Sequence, residues 1–309
     1  MKIKPKFDIG YGLKVPKTFG RIVDKYGNFQ IEHNNRPLQF RDVYHYLIHV
    51  NWLHFFALII LGFIGFNLIF GFLYFITHAS QMQGIEPRIS GTRFVQLFYF
   101  STQTFTTLGY GVAAPLGYLT SMIAAIEAMV GLLYFSFATS LFYGRFSRAT
   151  PNLKFSKSVL LRNYNGGKAL MFRVMHKHPN ALIDVYAEVF LALKSNEENG
   201  LSLKYYPIEL EREKLSLMPL TWTVVMLIDE KSPLYQWTEK EFQEQKGEFI
   251  IMIRYFDETF SQQIYQRYSY IFSEIEFEKT FKAAYHYDEN GIAQLDHELL
   301  DEVEDDIQL

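Results

Sequence analysis

The chain has 309 residues, a length suited to about two domains, and its 30 Lys and Arg against 33 Asp and Glu leave a formal charge of -3. That balance provides no basic field of the kind that recruits nucleic acid non-specifically. The absence of cysteine excludes disulfides, thiolate metal sites and cysteine nucleophiles. Mean hydropathy is -0.03, a value typical of soluble proteins, but the average conceals how unevenly the apolar residues are distributed.

Residues 1–37 form a polar segment carrying Lys2, Lys4, Lys6, Lys14, Lys17, Arg21 and Lys25, with no short apolar stretch. A cleavable signal peptide is therefore not expected, and the first span must itself direct insertion. Over 38–50, Phe40, Val43, Tyr44 and Leu47 fall on one helical face while Asp42, His45 and His49 fall on another. This suits a helix lying in the membrane interface; the alternative is a surface helix packed on a soluble domain.

From Phe55 to Ile76 the chain carries no charge, and about 20 apolar residues suffice to cross the hydrocarbon core. We expect a transmembrane helix over 51–78. The loop that follows carries only Glu86, Arg88 and Arg93. From Phe94 to Pro115 it then has no charge and is rich in aromatics and threonine. This stretch is too short to cross twice, so it reads as a re-entrant segment, with a short helix over 92–104 and an extended return over 106–111. Non-helical backbone at membrane depth is tolerated only where it is buried in protein or lines a water-filled path, which implies a pore.

The return contains Thr106-Thr107-Leu108-Gly109-Tyr110-Gly111. Glycines at alternate positions allow successive carbonyls to face one axis, a geometry that residues with a Cβ resist. Four such loops can replace the hydration shell of K+, with ligands from Thr107, Leu108, Gly109 and Tyr110 and with Gly111 closing the row. Tyr110 is expected to point outward against neighbouring aromatics. The tripeptide alone carries no weight, because Gly10-Tyr11-Gly12 repeats it in the polar N-terminal segment. Its position after an uncharged helix and between two spans gives the second copy its meaning.

A second span is expected over 118–146, where Glu127 is the one charged residue before Arg145. Arg145, Arg148, Lys154, Lys157, Arg162 and Lys168 follow with no acid among them. This excess places both termini in the cytoplasm and the loop outside. We expect a linker over 147–157. From 158 to 309 the pattern changes to short alternating strands such as Asp184–Leu191 and Glu248–Ile253, with Asn165-Gly166-Gly167 and Asn199-Gly200 as turns. An antiparallel β-sandwich is the economical reading. No phosphate loop, nucleophile elbow or metal constellation occurs past residue 158, so no enzyme is expected. His176 and His178 lack an acid cluster, which argues against a metal site. The acidic end from Asp301 to Asp306 reads as a solvated tail.

The filter string, Arg41–Ile48 before the first span, Phe155-Ser156 through Val174, and Ile228-Asp229-Glu230-Lys231-Ser232-Pro233-Leu234-Tyr235 together resemble the inward-rectifier potassium channels, prokaryotic branch. The resemblance runs over most of the chain. It implies a two-span pore domain over 51–146 with a re-entrant pore helix and filter. An interfacial slide helix precedes this domain, and an immunoglobulin-like, all-β cytoplasmic domain follows it. The protein is then expected in the cell membrane, the inner membrane of a bacterium, as a homotetramer in which each chain supplies one filter loop. Potassium ions in the filter are the only expected bound group, with no other cofactor.

By the same resemblance, Gly131 marks a position where the inner helix can bend, and Phe135, Thr139 and Tyr143 line the path, with Phe135 and Tyr143 as apolar rings near a gate. The alternative is that these aromatics pack between helices. Gln103 and Thr106 would support the filter. Gln103 and Val112 replace a glutamate and an arginine that pair in animal members, so both charges are absent together. Phe135 replaces an acid of strongly rectifying members, which puts strong rectification in doubt. Glu127 either concentrates cations at the cavity top or hydrogen-bonds the end of the pore helix. Arg145, Arg148, Lys154 and Lys157 would bind anionic headgroups, phosphoinositides in this family, or merely set topology. Asp184 lines a cytoplasmic vestibule or sits on a solvated strand. The function this resemblance implies is a K+-selective channel gated at the inner-helix bundle by the cytoplasmic domain and membrane lipid. Two alternatives remain: a weakly selective cation channel, with Leu108 loosening the filter, and a membrane-tethered binding protein with a vestigial pore.

Overall fold

The computed structural model describes residues 14–15, 21–25, 27–28, 40–77, 81–85, 93–197 and 200–305. The expected helix ends at 38–39, 78 and 92, the Gly10-Tyr11-Gly12 repeat, Asn199 and Asp306 lie outside them. The chain divides into two compact units, 35–148 and a second that combines 1–34 with 149–309.

In the first unit, α1 (Phe40–His49) is followed by α2 (Trp52–Ile76), whose first turn is capped by the Asn51 side chain accepting from the His54 amide at 2.9 Å. A short helix, α3 (Arg93–Phe105), a long one, α4 (Tyr118–Phe146), and the paired two-residue strands β2 (Met82–Gln83) and β3 (Ala114–Pro115) complete the unit. Both α2 and α4 are long and apolar enough to cross a membrane. Their apolar side chains are largely uncovered, Leu53 at 79%, Leu61 at 64% and Phe137 at 70% exposure, which a helix in a water-soluble core would not leave so. The apolar positions Val43 and Tyr44 of α1 are likewise exposed. Gly144 of α4 makes room for α1: a Cβ there would lie 3.3 Å from the Tyr44 hydroxyl and 3.5 Å from Ile48 Cδ1. The helix expected over 38–50 thus groups with the two long helices, not with the β-rich unit.

The β-rich unit is a sandwich of two sheets. The strands β5 (Val159–Tyr164), β6 (Gly167–His176), β10 (Thr221–Ile228) and β13 (Ile275–Phe277) form one sheet, with β4 (Leu153–Phe155) paired to β6. The other contains β7 (Leu182–Glu197), β8 (Gly200–Ile208), β9 (Lys214–Met218), β11 (Gly247–Asp257) and β12 (Gln262–Ile271). Inward side chains alternate along β6, as Leu170, Phe172 and Val174, and along β7 and β11, as Val185, Ala187, Val189, Phe249, Ile251 and Ile253, and these meet in one core. Among the described residues the strand pairings are antiparallel except β13 on β5, which is parallel.

Three features depart from the sequence reading. The stretch 147–157, expected as a linker, contains β4. Phe155 stacks on Tyr268 with centroids 4.5 Å apart, and Gln266 bonds both the amide and the carbonyl of Leu153. The sandwich therefore begins at Leu153, because alternate apolar residues there can enter the core. The N-terminal segment, expected over 1–37 as a polar segment of its own, joins the β-rich unit: β1 (Lys14–Val15) pairs with β8, and the Glu248 carboxylate accepts from the amides of Ile22 at 2.7 Å and Val23 at 3.0 Å. The acidic end is not a plain solvated tail. Val303–Asp305 pairs as a strand with Lys279–Phe281, Asp305 meets Lys279, and Asp301 meets Lys157 at 2.9 Å. Basic partners across the fold turn a run of repelling charges into an ordered edge.

Candidate functional site

The segment between α3 and α4 is where backbone chemistry is unusual. The last turn of α3 continues into the return without a break: the Thr106 amide donates to Thr102 O at 3.1 Å and Thr107 to Thr104 O at 3.0 Å. The Gln103 carbonyl then accepts from both Leu108 at 2.9 Å and Gly109 at 3.3 Å. The Thr106 hydroxyl donates back to Thr102 O at 2.7 Å. Gln103 and Thr106 thus anchor the return through main-chain oxygens, the Gln103 side chain contributing no hydrogen bond among the described residues.

Beyond this anchor, φ is positive at Thr107 (59°), Gly109 (53°) and Gly111 (81°). Alternate left-handed residues turn successive carbonyls the same way, and glycine adopts that region without steric cost. A Cβ at Gly109 or Gly111 would meet nothing within 4 Å, so conformation and not space demands glycine there. Thr107 holds the same region without being glycine, which the sequence did not signal. Among the described residues no carbonyl of 107–111 accepts a hydrogen bond, and all five residues are exposed in the single chain. Leu108 is 56% and Tyr110 70% exposed in the single chain, and no described ring packs on Tyr110. Val112 is also exposed.

Glu127 is fully buried within the single chain, which favours the hydrogen-bonding alternative over the cation-concentrating one. Its carboxylate accepts from Tyr74 Oη of α2 at 2.6 Å and from Ser101 Oγ of α3, and Ser101 in turn lies 3.1 Å from Asn67 Oδ1. Asn67, Tyr74 and Ser101 were missed from the sequence. Asn67 was signalled only as a lone amide in an apolar run.

Gly131 lies within an unbroken α4, and a Cβ there would sit 2.1 Å from the Phe105 carbonyl oxygen. Close approach of the Phe105 backbone by itself demands glycine at this position. Phe135 touches the edge of an aromatic cluster, 6.5 Å from Phe63 and 6.2 Å from Phe105 between centroids, while Thr139 and Tyr143 are exposed.

The four basic residues expected to act together have separate surroundings. Arg145 donates to the carbonyls of Leu47 and Val50, both at 2.6 Å, and lies 4.5 Å from the rings of Trp52 and Phe55. It closes the C-terminal end of α1, where main-chain carbonyls lack helical partners, so its role is a correction to the headgroup expectation. Lys157 pairs with Asp301 at 2.9 Å, and this carboxylate raises its pKa. Arg148 and Lys154 are exposed, without a described partner. Asp184 is exposed and paired with Lys214 at 2.8 Å. His176 is buried and bonds the Asn180 carbonyl, and no cluster able to hold a metal occurs among the described residues.

Comparison with known proteins places this geometry. Residues 153–307 match the family model described as the inward rectifier potassium channel C-terminal domain, and residues 53–148 match the model described as ion channel. The chain is 29% identical to the inward rectifier potassium channel Kirbac3.1 of Paramagnetospirillum magnetotacticum, over 85% of this chain and 89% of that protein. It is 22% identical to inward rectifier potassium channel irk-1 of Caenorhabditis elegans, over 90% of this chain and 56% of the relative. It is 23% identical to ATP-sensitive inward rectifier potassium channel 12 of Gallus gallus, over 84% and 66%. A domain model covering half of the chain, joined to a pore model over the remaining helical unit, shows that this chain belongs to the inward rectifier potassium channel family, with a prokaryotic relative along most of its length.

Proposed function

We infer that this chain is a potassium channel of the inward-rectifier type, conducting K+ passively through a filter at Thr107, Leu108, Gly109, Tyr110 and Gly111. The observation that carries this reading is the row of carbonyls at 107–111 that accept no hydrogen bond, on a backbone with positive φ at alternate residues. At membrane depth an unpaired carbonyl is costly, and a dehydrated cation is the partner that satisfies a ring of them. One chain supplies one loop, so the working unit is a closed homotetramer. The exposed faces of Leu108 and Tyr110 support this, since neighbouring copies would cover them.

The protein sits in the cell membrane, a bacterial inner membrane, with both termini cytoplasmic; the excess of Lys and Arg after α4 supports the orientation. Potassium ions are the only bound group, and no catalytic role is assigned. The gate lies along the inner helix at Phe135, Thr139 and Tyr143. The cytoplasmic sandwich acts on it through Thr150–Lys157 and α1. Anionic lipid acts at Arg148 and Lys154, the two basic residues of the cluster that are exposed and unpaired among the described residues.

The test is rubidium uptake into liposomes holding the purified protein, with sodium as competitor and barium as blocker. Uptake should be blocked by barium, resist sodium, and vanish in Gly109→Ala, whose Cβ is strained at φ 53°. Sodium uptake equal to rubidium uptake would refute selective conduction.

A further inference from the structure

Behind the filter, three helices are joined by side chains that direct conduction does not use. Glu127 of α4 accepts from Tyr74 of α2 and from Ser101 of α3, and Ser101 reaches Asn67 of α2. All four residues have no exposed surface. Asn67 is itself oriented, its Nδ2 donating to Phe63 O at 2.7 Å, which turns its oxygen toward Ser101.

The bridge is in register with a second contact. Glu127 and Gly131 stand one turn apart on α4, and they meet Ser101 and Phe105, one turn apart on α3. Phe105 is the last residue of α3, and the return begins at the next residue. On the opposite side, Gly71 of α2 lets that helix approach so closely that a Cβ would lie 3.2 Å from Phe98 Cα. The short helix is therefore held between α2 and α4 by two backbone contacts, which fix distance, and by one polar bridge, which fixes rotation. Packing of apolar side chains alone would have met the first need. Polar groups in a span are costly and are kept where they perform a task.

We propose that Glu127, with Ser101 and Tyr74, positions the filter: the bridge sets the rotation of the pore helix against the inner helix and thereby the spacing of the carbonyls at 107–111. Preference for K+ over Na+ is the property it governs, because that preference depends on the size and field of the carbonyl cage. None of these residues carries a conducting or gating role in the reading above. The proposal rests on that conduction reading.

The test compares the native protein with Tyr74→Phe, Ser101→Ala and Glu127→Gln as purified tetramers. The readouts are the ratio of rubidium to sodium uptake in liposomes, and protection of the tetramer against heat by K+ relative to Na+. Ser101→Ala and Tyr74→Phe remove one hydroxyl each and leave the packing. Each should lower the uptake ratio about tenfold, the effect of one buried hydrogen bond, with the tetramer intact. Glu127→Gln should keep a near-native ratio: its amide oxygen can accept from Tyr74, and its NH2 can donate to Ser101, whose proton then serves Asn67. An unchanged ratio in the two hydroxyl variants would overturn the proposal, as would an equal fall for both cations with the tetramer intact. If the native protein itself passes both cations alike, the conduction reading fails instead. If the native protein passes neither cation, heat protection decides: loss of K+-specific protection in Ser101→Ala supports the bridge, and retention overturns it.

Discussion

Gly131 illustrates how one atom separates two accounts of the inner helix. A methyl group there would reach to 2.1 Å from the Phe105 carbonyl oxygen, a separation that requires α3 or α4 to move. Overpacking of this kind typically costs about 1–3 kcal/mol. Gly131→Ala should therefore lower the thermal stability of the detergent-solubilised protein by that order, read as a fall in melting temperature. If Gly131 served only as a bend, the variant would keep native stability and change gating alone. The filter glycines follow a different rule, since Gly109 and Gly111 have open space around the missing Cβ and positive φ. Sequence alone suggests all three glycines, but the cause at each is legible only once the neighbouring backbone is placed. Thr107 and Glu127 show the limit from the other side. A positive φ at threonine and a carboxylate pairing with Tyr74, 53 residues away, leave no local signature.

At the scale of elements, the helical unit is the most legible part. Long apolar runs mark spans over 51–78 and 118–146, and the described helices occupy Trp52–Ile76 and Tyr118–Phe146. The β-rich unit is legible as a sandwich, because alternation along β6, β7 and β11 writes the core directly into the sequence. Its edges are not legible. β1, β4 and the terminal strand join through partners far along the chain, as when Ile22 meets Glu248 across 226 positions.

The β4–β6 pair also carries a titration. His176, opposite Leu153 in that pairing, is buried, and burial lowers its pKa below the ordinary value of 6.5. The positive His178 form would act in the same direction, while the Asn180 carbonyl and Asp257 oppose it. The ring of Tyr255 packs 6.4 Å away. A histidine with a depressed folded pKa contributes its full stability above 6.5 and loses it as pH falls through the folded value. The melting temperature of the protein should thus decline on acidification from about pH 7.5 to pH 5, and His176→Gln should flatten that slope. An equal slope in the variant would assign the acid sensitivity elsewhere.

At the scale of the whole molecule, one chain is an incomplete device. It presents one return loop, two helices whose apolar faces are uncovered, and a tyrosine in that loop with no described aromatic neighbour. The tetramer and the lipid proposed above would complete all three through the same hydrophobic and coordination chemistry. Family membership was legible because its motifs lie in three separate regions, before, between and after the spans. The central claim is that the assembled filter passes K+ and rejects Na+. It is tested most directly by the reversal potential of the protein in a planar bilayer with equal KCl and NaCl on opposite sides. The account predicts reversal with the KCl side negative by more than about 59 mV, the shift for a tenfold preference; reversal at zero would contradict it.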